Sequence, residues 1–268
     1  MTRLKVVHRT VYAYGEAVST SHHEARLAPR EGEAQRTIAH DVDVSPPPSV
    51  QRERFDYFGN RALHFGVREP HRALEVVATS VVELRPVALP SSSPSWEGVR
   101  DRLVSDRRRD VLDALELSLD SPHVRVRGRP SAAVLEYVRP SFAPGRSLLD
   151  AVLELTRRIY TDFTYDQAAT DVATPVSEVL ARRRGVCQDF AHLQIACLRA
   201  LGLAARYVSG YILTHPPPGK PKLVGADASH AWMGVFVPDF GWVDFDPTNG
   251  LVPTNEHVTV AYGRDFSD

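Results

Sequence analysis

The sequence predicts an α+β chain: an N-terminal antiparallel β-sandwich, then a core whose helices precede an antiparallel sheet. Three observations carry that reading. Residues 1 to 84 hold several short runs of alternating apolar and polar residues with turn signals between them. Residues 85 to 96 are rich in Pro and Ser and read as a linker. From Ser147 onward, helical periodicities come first and strand-like runs follow. The predicted organisation is a β-rich domain at 1–84, a linker and partly helical connection at 85–146, and a core at 147–268.

In the first region Leu4, Val6 and His8 alternate with Lys5, Val7 and Arg9, and the run that follows ends at Gly15. Ile38, His40, Val42 and Val44 alternate likewise and stop at Ser45-Pro-Pro-Pro48. Asp56-Tyr-Phe-Gly-Asn60 is a turn, followed by Leu63, Phe65 and Val67 on one side of a strand; Leu74, Val76, Ala78 and Ser80 begin another. His22-His23 has no partner at ligand spacing and reads as structural. Residues 98 to 146 show no clear period, and Arg107-Arg-Arg109 reads as a solvated face. Ser147 is placed to cap a helix bearing Leu148, Leu149, Val152, Leu155 and Ile159. Thr174 as cap and Pro175 at the first position start a second helix that ends at Gly185. A third runs from Cys187 to Leu201 and stops at Gly202. Strands follow at 205–213, 229–237 and 242–246, with His215-Pro-Pro-Pro-Gly-Lys-Pro-Lys222 as a loop before the second of them.

Composition narrows the functions. Of 268 residues, 43% are apolar and 24% charged, which excludes long disorder, collagen and a coiled-coil rod. Lys plus Arg number 32 against 33 Asp plus Glu, so nothing in the overall charge predicts a nucleic-acid or membrane partner. No apolar run approaches the ~18 residues needed to span a bilayer. The first residues lack the apolar stretch of a secretory signal, so the sequence predicts a cytoplasmic chain. Two cysteines, Cys187 and Cys197, exclude a disulfide scaffold. On one helix they lie about 15 Å apart, too far for a bridge.

On the third helix Cys187, Phe190, Ala191, Ile195, Leu198 and Gly202 share a stripe. Cys187 therefore opens the helix while facing what it packs on. Unpaired N–H groups and the positive dipole end favour a thiolate there, and the same N–H groups suit an oxyanion beside an attacking sulfur. Cys197, among Ile195, Ala196 and Leu198, reads as core filler. A thiolate nucleophile needs a base, and the base an orienting acid. His230 alternates with Trp232, Gly234 and Phe236 on one face of its strand, and Trp242, Asp244 and Asp246 share a face of the next. A five-residue connection at 237–241 opposes 236 with 242 and brings His230 and Asp246 together as diagonal neighbours; a different register would offer Asp244 instead.

Four blocks resemble the bacterial transglutaminase-like superfamily, which shares the papain-like cysteine core. They are Gly185-Val-Cys-Gln-Asp-Phe-Ala-His192, Ala205-Arg-Tyr-Val-Ser-Gly-Tyr211, Ser229-His-Ala-Trp232 and Gly241-Trp-Val-Asp-Phe-Asp-Pro-Thr-Asn249. Val7-His-Arg-Thr, Arg26-Leu-Ala-Pro-Arg30 and Asp56-Tyr-Phe-Gly-Asn60 resemble the β-rich domain that precedes this core. The resemblance implies Cys187 as nucleophile, His230 as general base and acid, and Asp246 as the residue orienting His230. Asp189 and Tyr165 fall on recurrent positions of the family. Read from the residues, Asp189 supports the helix start, Gln188 is a candidate second oxyanion donor, and Trp232 and Trp242 wall the site. The expected activity is acyl transfer from peptide or side-chain amides through a thioester, completed by water or by an amine. The alternatives are a catalytically silent scaffolding protein that binds peptides, and a Cys/His metal site. The acyl-transfer reading needs no metal or cofactor, and no calcium-loop pattern is present. The partner it calls for is a protein or peptide substrate.

Overall fold

A computed structural model describes residues 1–90, 92–126, 132–214 and 229–268. The loop expected at 215–222 lies outside the described residues. Contacts divide the chain into two units. The first takes Met1–Val87 with the described parts of Ser209–Ser229 and Thr254–Tyr262; the second takes Ala88–Val208, His230–Pro253 and Gly263–Asp268.

The first unit is built from β1 (Thr2–Val18), β2 (Ser21–Ala25), β3 (Gln35–Ser45), β4 (Val50–Phe55), β5 (Arg61–Val67) and β6 (His71–Leu84). They form two antiparallel three-stranded sheets, in the orders β1-β6-β3 and β2-β5-β4. Val44, Leu63, Phe65, Val67, Leu74 and Val76 fill the space between the sheets, so the alternation seen in the sequence marks the inward faces. β1 does not end at Gly15. It continues to Val18 through an irregularity after Ala13, which keeps it paired with β6. The Asp56–Asn60 turn is held from inside: Asp56 Oδ1 accepts the N–H groups of Phe58 and Asn60 at 3.0 and 2.8 Å, and Arg26 Nε donates to Oδ2 at 2.8 Å. The quoted Arg26 and Asp56 blocks thus serve the sandwich.

The second unit contains α1 (Trp96–Ser105), α2 (Arg109–Glu116), α3 (Ala132–Val138), a short 3-10 turn at Arg139–Ser141, α4 (Leu148–Asp162), β7 (Thr164–Tyr165), α5 (Val176–Arg182), β8 (Arg184–Gly185) and α6 (Cys187–Ala200). Among the described residues, the aperiodic stretch 98–146 therefore shows three short helices, each burying only two or three side chains. Ser147 occupies the cap position of α4 without capping it. Its hydroxyl pairs with Ser93 Oγ at 2.9 Å, and Ser93 Oγ takes the Leu149 N–H at 3.0 Å. α5 starts one residue later than expected because Pro175 is the cap, while Thr174 Oγ1 closes a turn with Asp171. It ends at Arg183, whose left-handed φ of 56° turns the chain into β8 before Gly185 is reached.

The last strands are β9 (Ala205–Ile212), β10 (Ser229–Val237), β11 (Gly241–Phe245) and β12 (His257–Gly263), in the order β11-β10-β9-β12. The first half of β9 belongs to the second unit with β10 and β11, and the second half to the first unit with most of β12. β12 was not expected from the sequence. α6 lies in the main apolar cluster with α4 and β10, and eleven of its fourteen residues are buried. Among the described residues no helix is long and apolar enough to cross a membrane.

Candidate active site

Cys187 opens α6 because the residue before it is held extended, with Val186 at φ −114° and ψ 180°. Asp189, at the third helical position, reaches back so that its Oδ2 accepts the Val186 N–H at 2.8 Å and the Thr170 hydroxyl at 2.6 Å. Burial raises this carboxyl's pKa, against the opposing pull of those two bonds. A Cβ on Gly185 would lie 2.6 Å from Asp189 Oδ2, so only glycine leaves room for this cap. Asp189 thus supports the helix start, the role read from its position. Cys187 remains partly exposed. Cys197 is fully buried, and burial pushes its thiol up to about 12, the condition of an inert core group.

β10 and β11 pair with Phe236 opposite Trp242 and Met233 opposite Phe245, the register that a connection at 237–241 requires. Continued by one more step, it makes His230 and Asp246 neighbours on one face. His230 Nε2 lies 2.8 Å from Asp246 Oδ2. A carboxylate only accepts, so Nε2 carries the proton. β11 ends at Phe245, and Asp246 bridges to Leu251 across a tight turn. The turn wraps the acid. Oδ1 accepts the N–H groups of Thr248 and Asn249 at 2.9 and 3.2 Å, while Asn249 Nδ2 donates to Oδ2 at 2.7 Å. Asp246 is fully buried, and four donors fix its plane.

His230 is 8% exposed. Burial alone would depress its pKa. The hydrogen bonds to Asp246 and Cys187, with the charge on each, outweigh burial and raise it to about 9. Cys187 and Asp246 thus both act on one imidazole, although 43 residues separate the thiol from it in sequence.

The other expected residues are distributed unevenly. Trp232 is fully buried, and its ring lies 5.9 Å from that of His230 at an interplanar angle of 30°, so it walls the imidazole. Trp242 does not. It packs on Phe236 at 5.4 Å with Arg206 over its ring at 4.7 Å, four strand residues, or about 13 Å, from Asp246. Its place opposite Phe236, near the hairpin turn, keeps it from the site. Asp244 accepts from Trp232 Nε1 at 3.1 Å and from Arg206 at 3.2 Å, and His230 is left to Asp246. Gln188 Nε2 lies 3.4 Å from the Val172 carbonyl, a contact directed at the neighbouring loop. Tyr165 pairs with Gly185 in the β7–β8 ribbon and is 49% exposed. Asn249 is a site residue that the sequence reading misses. Its signal was Asp-Pro-Thr-Asn, a pattern in which an Asp accepts backbone N–H groups two and three residues on.

Comparison with known proteins identifies the family. Residues 4–83 match the bacterial transglutaminase-like N-terminal region, and residues 136–247 match the transglutaminase-like superfamily. An uncharacterized protein of Mycobacterium tuberculosis is 42% identical over 275 residues, covering 99% of this chain and 85% of its own length. A protein-glutamine gamma-glutamyltransferase of Pseudomonas aeruginosa is 29% identical over 248 residues, covering 76% of this chain and 35% of that protein. The crystal structure of a candidate cysteine protease from Cytophaga hutchinsonii superposes with a TM-score of 0.74 at 24% identity, over 99% of this chain and 83% of that one. The α+β fold and the sequence together define a transglutaminase-like protein. The chain belongs to the transglutaminase-like superfamily, with the N-terminal region of its bacterial members, and this supports a cysteine-dependent enzyme.

Proposed function

We propose that the chain is a cysteine-dependent acyl-transfer enzyme acting on peptide or side-chain amides through a thioester. The observation that carries this is the His230–Asp246 hydrogen bond at 2.8 Å, which fixes the imidazole proton on the acid side, together with a partly exposed Cys187 that opens α6 and helps to raise the His230 pKa. His230 holds or takes the thiol proton, and the sulfur attacks the amide carbonyl carbon. The C–S bond forms as the carbonyl π pair moves to oxygen, where the Cys187 backbone N–H at the start of α6 stabilises the charge. His230 then protonates the nitrogen as the C–N bond breaks, releasing the amine and leaving a thioester. Water or a second amine attacks the thioester, His230 removes its proton, and the C–S bond breaks to restore the sulfur. Asp246 stays an acceptor throughout and keeps the imidazole in one tautomer.

Both outcomes of the second half-reaction use these same groups. We favour hydrolysis, because water is always present. The test is mass spectrometry of a peptide library incubated with the protein, with and without a primary amine. Backbone cleavage identifies a protease, a gain of about one dalton at Gln a deamidase, and an amine adduct a transferase. An unchanged library, together with equal labelling of wild type and His230→Ala by a thiol-reactive affinity probe, would sink the enzymatic reading in favour of a scaffold.

A further inference from the structure

Asp244 and Arg206 make a second polar line on the same sheet face as His230, and the acyl-transfer steps do not use it. Trp232 Nε1 donates to Asp244 Oδ2 at 3.1 Å, and the other carboxylate oxygen accepts from Arg206 at 3.2 Å. The ion pair is mostly shielded, with side chains 11% and 20% exposed. Gly234 is the residue of β10 that lies beneath it: a Cβ there would come 2.6 Å from Asp244 Oδ1 and 3.0 Å from Arg206 Nε. The strand therefore gives up a side chain so that carboxylate and guanidinium can lie flat against the sheet. Arg206 is held in turn over the Trp242 ring. The line runs Trp242, Arg206, Asp244, Trp232, and ends against the His230 imidazole.

A shielded ion pair is weak evidence for added stability, since apolar residues of the same volume often serve as well. It does fix geometry. An indole has one donor, and anchoring that donor sets the rotation of the ring about its own side-chain bonds. The ring so fixed is the one that faces His230. We propose that Asp244, braced by Arg206, is a positioning residue: it locks the Trp232 indole as the wall that holds the His230 ring at the angle at which it meets both Asp246 and Cys187. This rests on the acyl-transfer reading of Cys187 and His230. It assigns Asp244 a part in that reaction distinct from the acid that Asp246 supplies.

The measurement is the rate of iodoacetamide alkylation of Cys187 in the full chain, located by mass spectrometry, at pH 6 and pH 10. At pH 6 an isolated thiol is almost wholly protonated, so rapid reaction requires the imidazole; at pH 10 any accessible thiol is ionised. Three variants are compared with wild type: Trp232→Phe, which keeps the ring and loses the donor; Asp244→Leu with Arg206→Met, which removes the acceptor and its partner together at similar volume; and all three substitutions combined. The expected result is a loss of about tenfold at pH 6 in each of the first two, no further loss in the combination, and wild-type rates at pH 10. Losses that multiply, a Trp232→Phe rate equal to wild type, or an equal fall at pH 10 would overturn the proposal. A wild type that reacts at pH 6 no faster than His230→Ala would instead overturn the pairing of Cys187 with His230, and the proposal would fall with it.

Discussion

Replacing Asp246 with Asn perturbs the line at its most constrained point. The side chain keeps its size inside a fully buried turn, but Oδ2 no longer offers His230 a negative acceptor at 2.8 Å. His230 titrates near 9 in the folded chain against 6.5 for an ordinary histidine. That raise corresponds to about 3 kcal/mol of folded-state preference for the imidazolium, shared between Asp246 and Cys187. Because the folded value lies above the unfolded one, this stabilisation is fully present below about pH 6.5 and is lost as pH rises through about 9. In Asp246→Asn burial remains, still disfavouring the imidazolium, while the strongest support for its charge is gone. The imidazole should then titrate far closer to, or below, its ordinary value. Urea unfolding of wild type and variant across pH 6 to 9.5 reads this directly. Wild type should lose stability over that window, and the variant should show a much flatter dependence there. Turnover should fall by about two to four orders of magnitude through misorientation of the ring. Wild-type turnover with an unchanged pH slope would refute the reasoning, and the same losses found in Asp244→Asn would move the orienting role to that residue.

Three further outcomes follow from the same geometry. Cys187→Ala should abolish thioester formation with little change in melting temperature above about pH 9, where its share of the His230 stabilisation is already lost, whereas Cys197→Ala should lower stability by about 1 kcal/mol and leave activity per folded molecule intact; trapped-intermediate mass spectrometry and calorimetry separate the two. Gly185→Ala should displace Asp189 from the start of α6, because the new methyl would meet its carboxylate at 2.6 Å, at a cost of about 1–3 kcal/mol with a matching loss of Cys187 reactivity. Asp265 is buried, and hydrogen bonds from Ser121, Ser267 and the His123 N–H overcome the burial penalty to hold its carboxyl at about 2. Its folded value is depressed, so its contribution is present above about pH 4 and is lost as pH falls through about 2. Asp265→Asn should therefore weaken the acid dependence of unfolding between those limits; an acid-unfolding curve identical to wild type would contradict it.

Much of the site was legible because strand and helix periods act as rulers. The period of 2 put His230 and Asp246 on matching faces, and the length of the 237–241 connection set which residues face each other. The helix start at Cys187 was legible from Gly185 and from the apolar stripe that follows. What stayed hidden was chemistry that runs across elements. Trp232 and Trp242 look alike in a linear pattern, yet only one reaches His230; the other is about four residues of strand away, beside Phe236. The cap of α4 comes from Ser93, more than fifty residues upstream, and no local window contains it. The helices between 98 and 146 bury so few side chains each that they leave no period to read. β12 was missed although its alternating Val258 and Val260 are both buried, because short apolar runs near a chain end carry little weight on their own.

The most direct measurement is an NMR titration of the His230 imidazole in the full chain, assigned by comparison with His230→Gln. A ring held between a buried carboxylate and a thiol should remain protonated well above neutrality, with a midpoint near 9 that collapses when Cys187 and Asp246 are both replaced. A midpoint at or below the ordinary histidine value in the unaltered protein would mean that the three groups do not act as one.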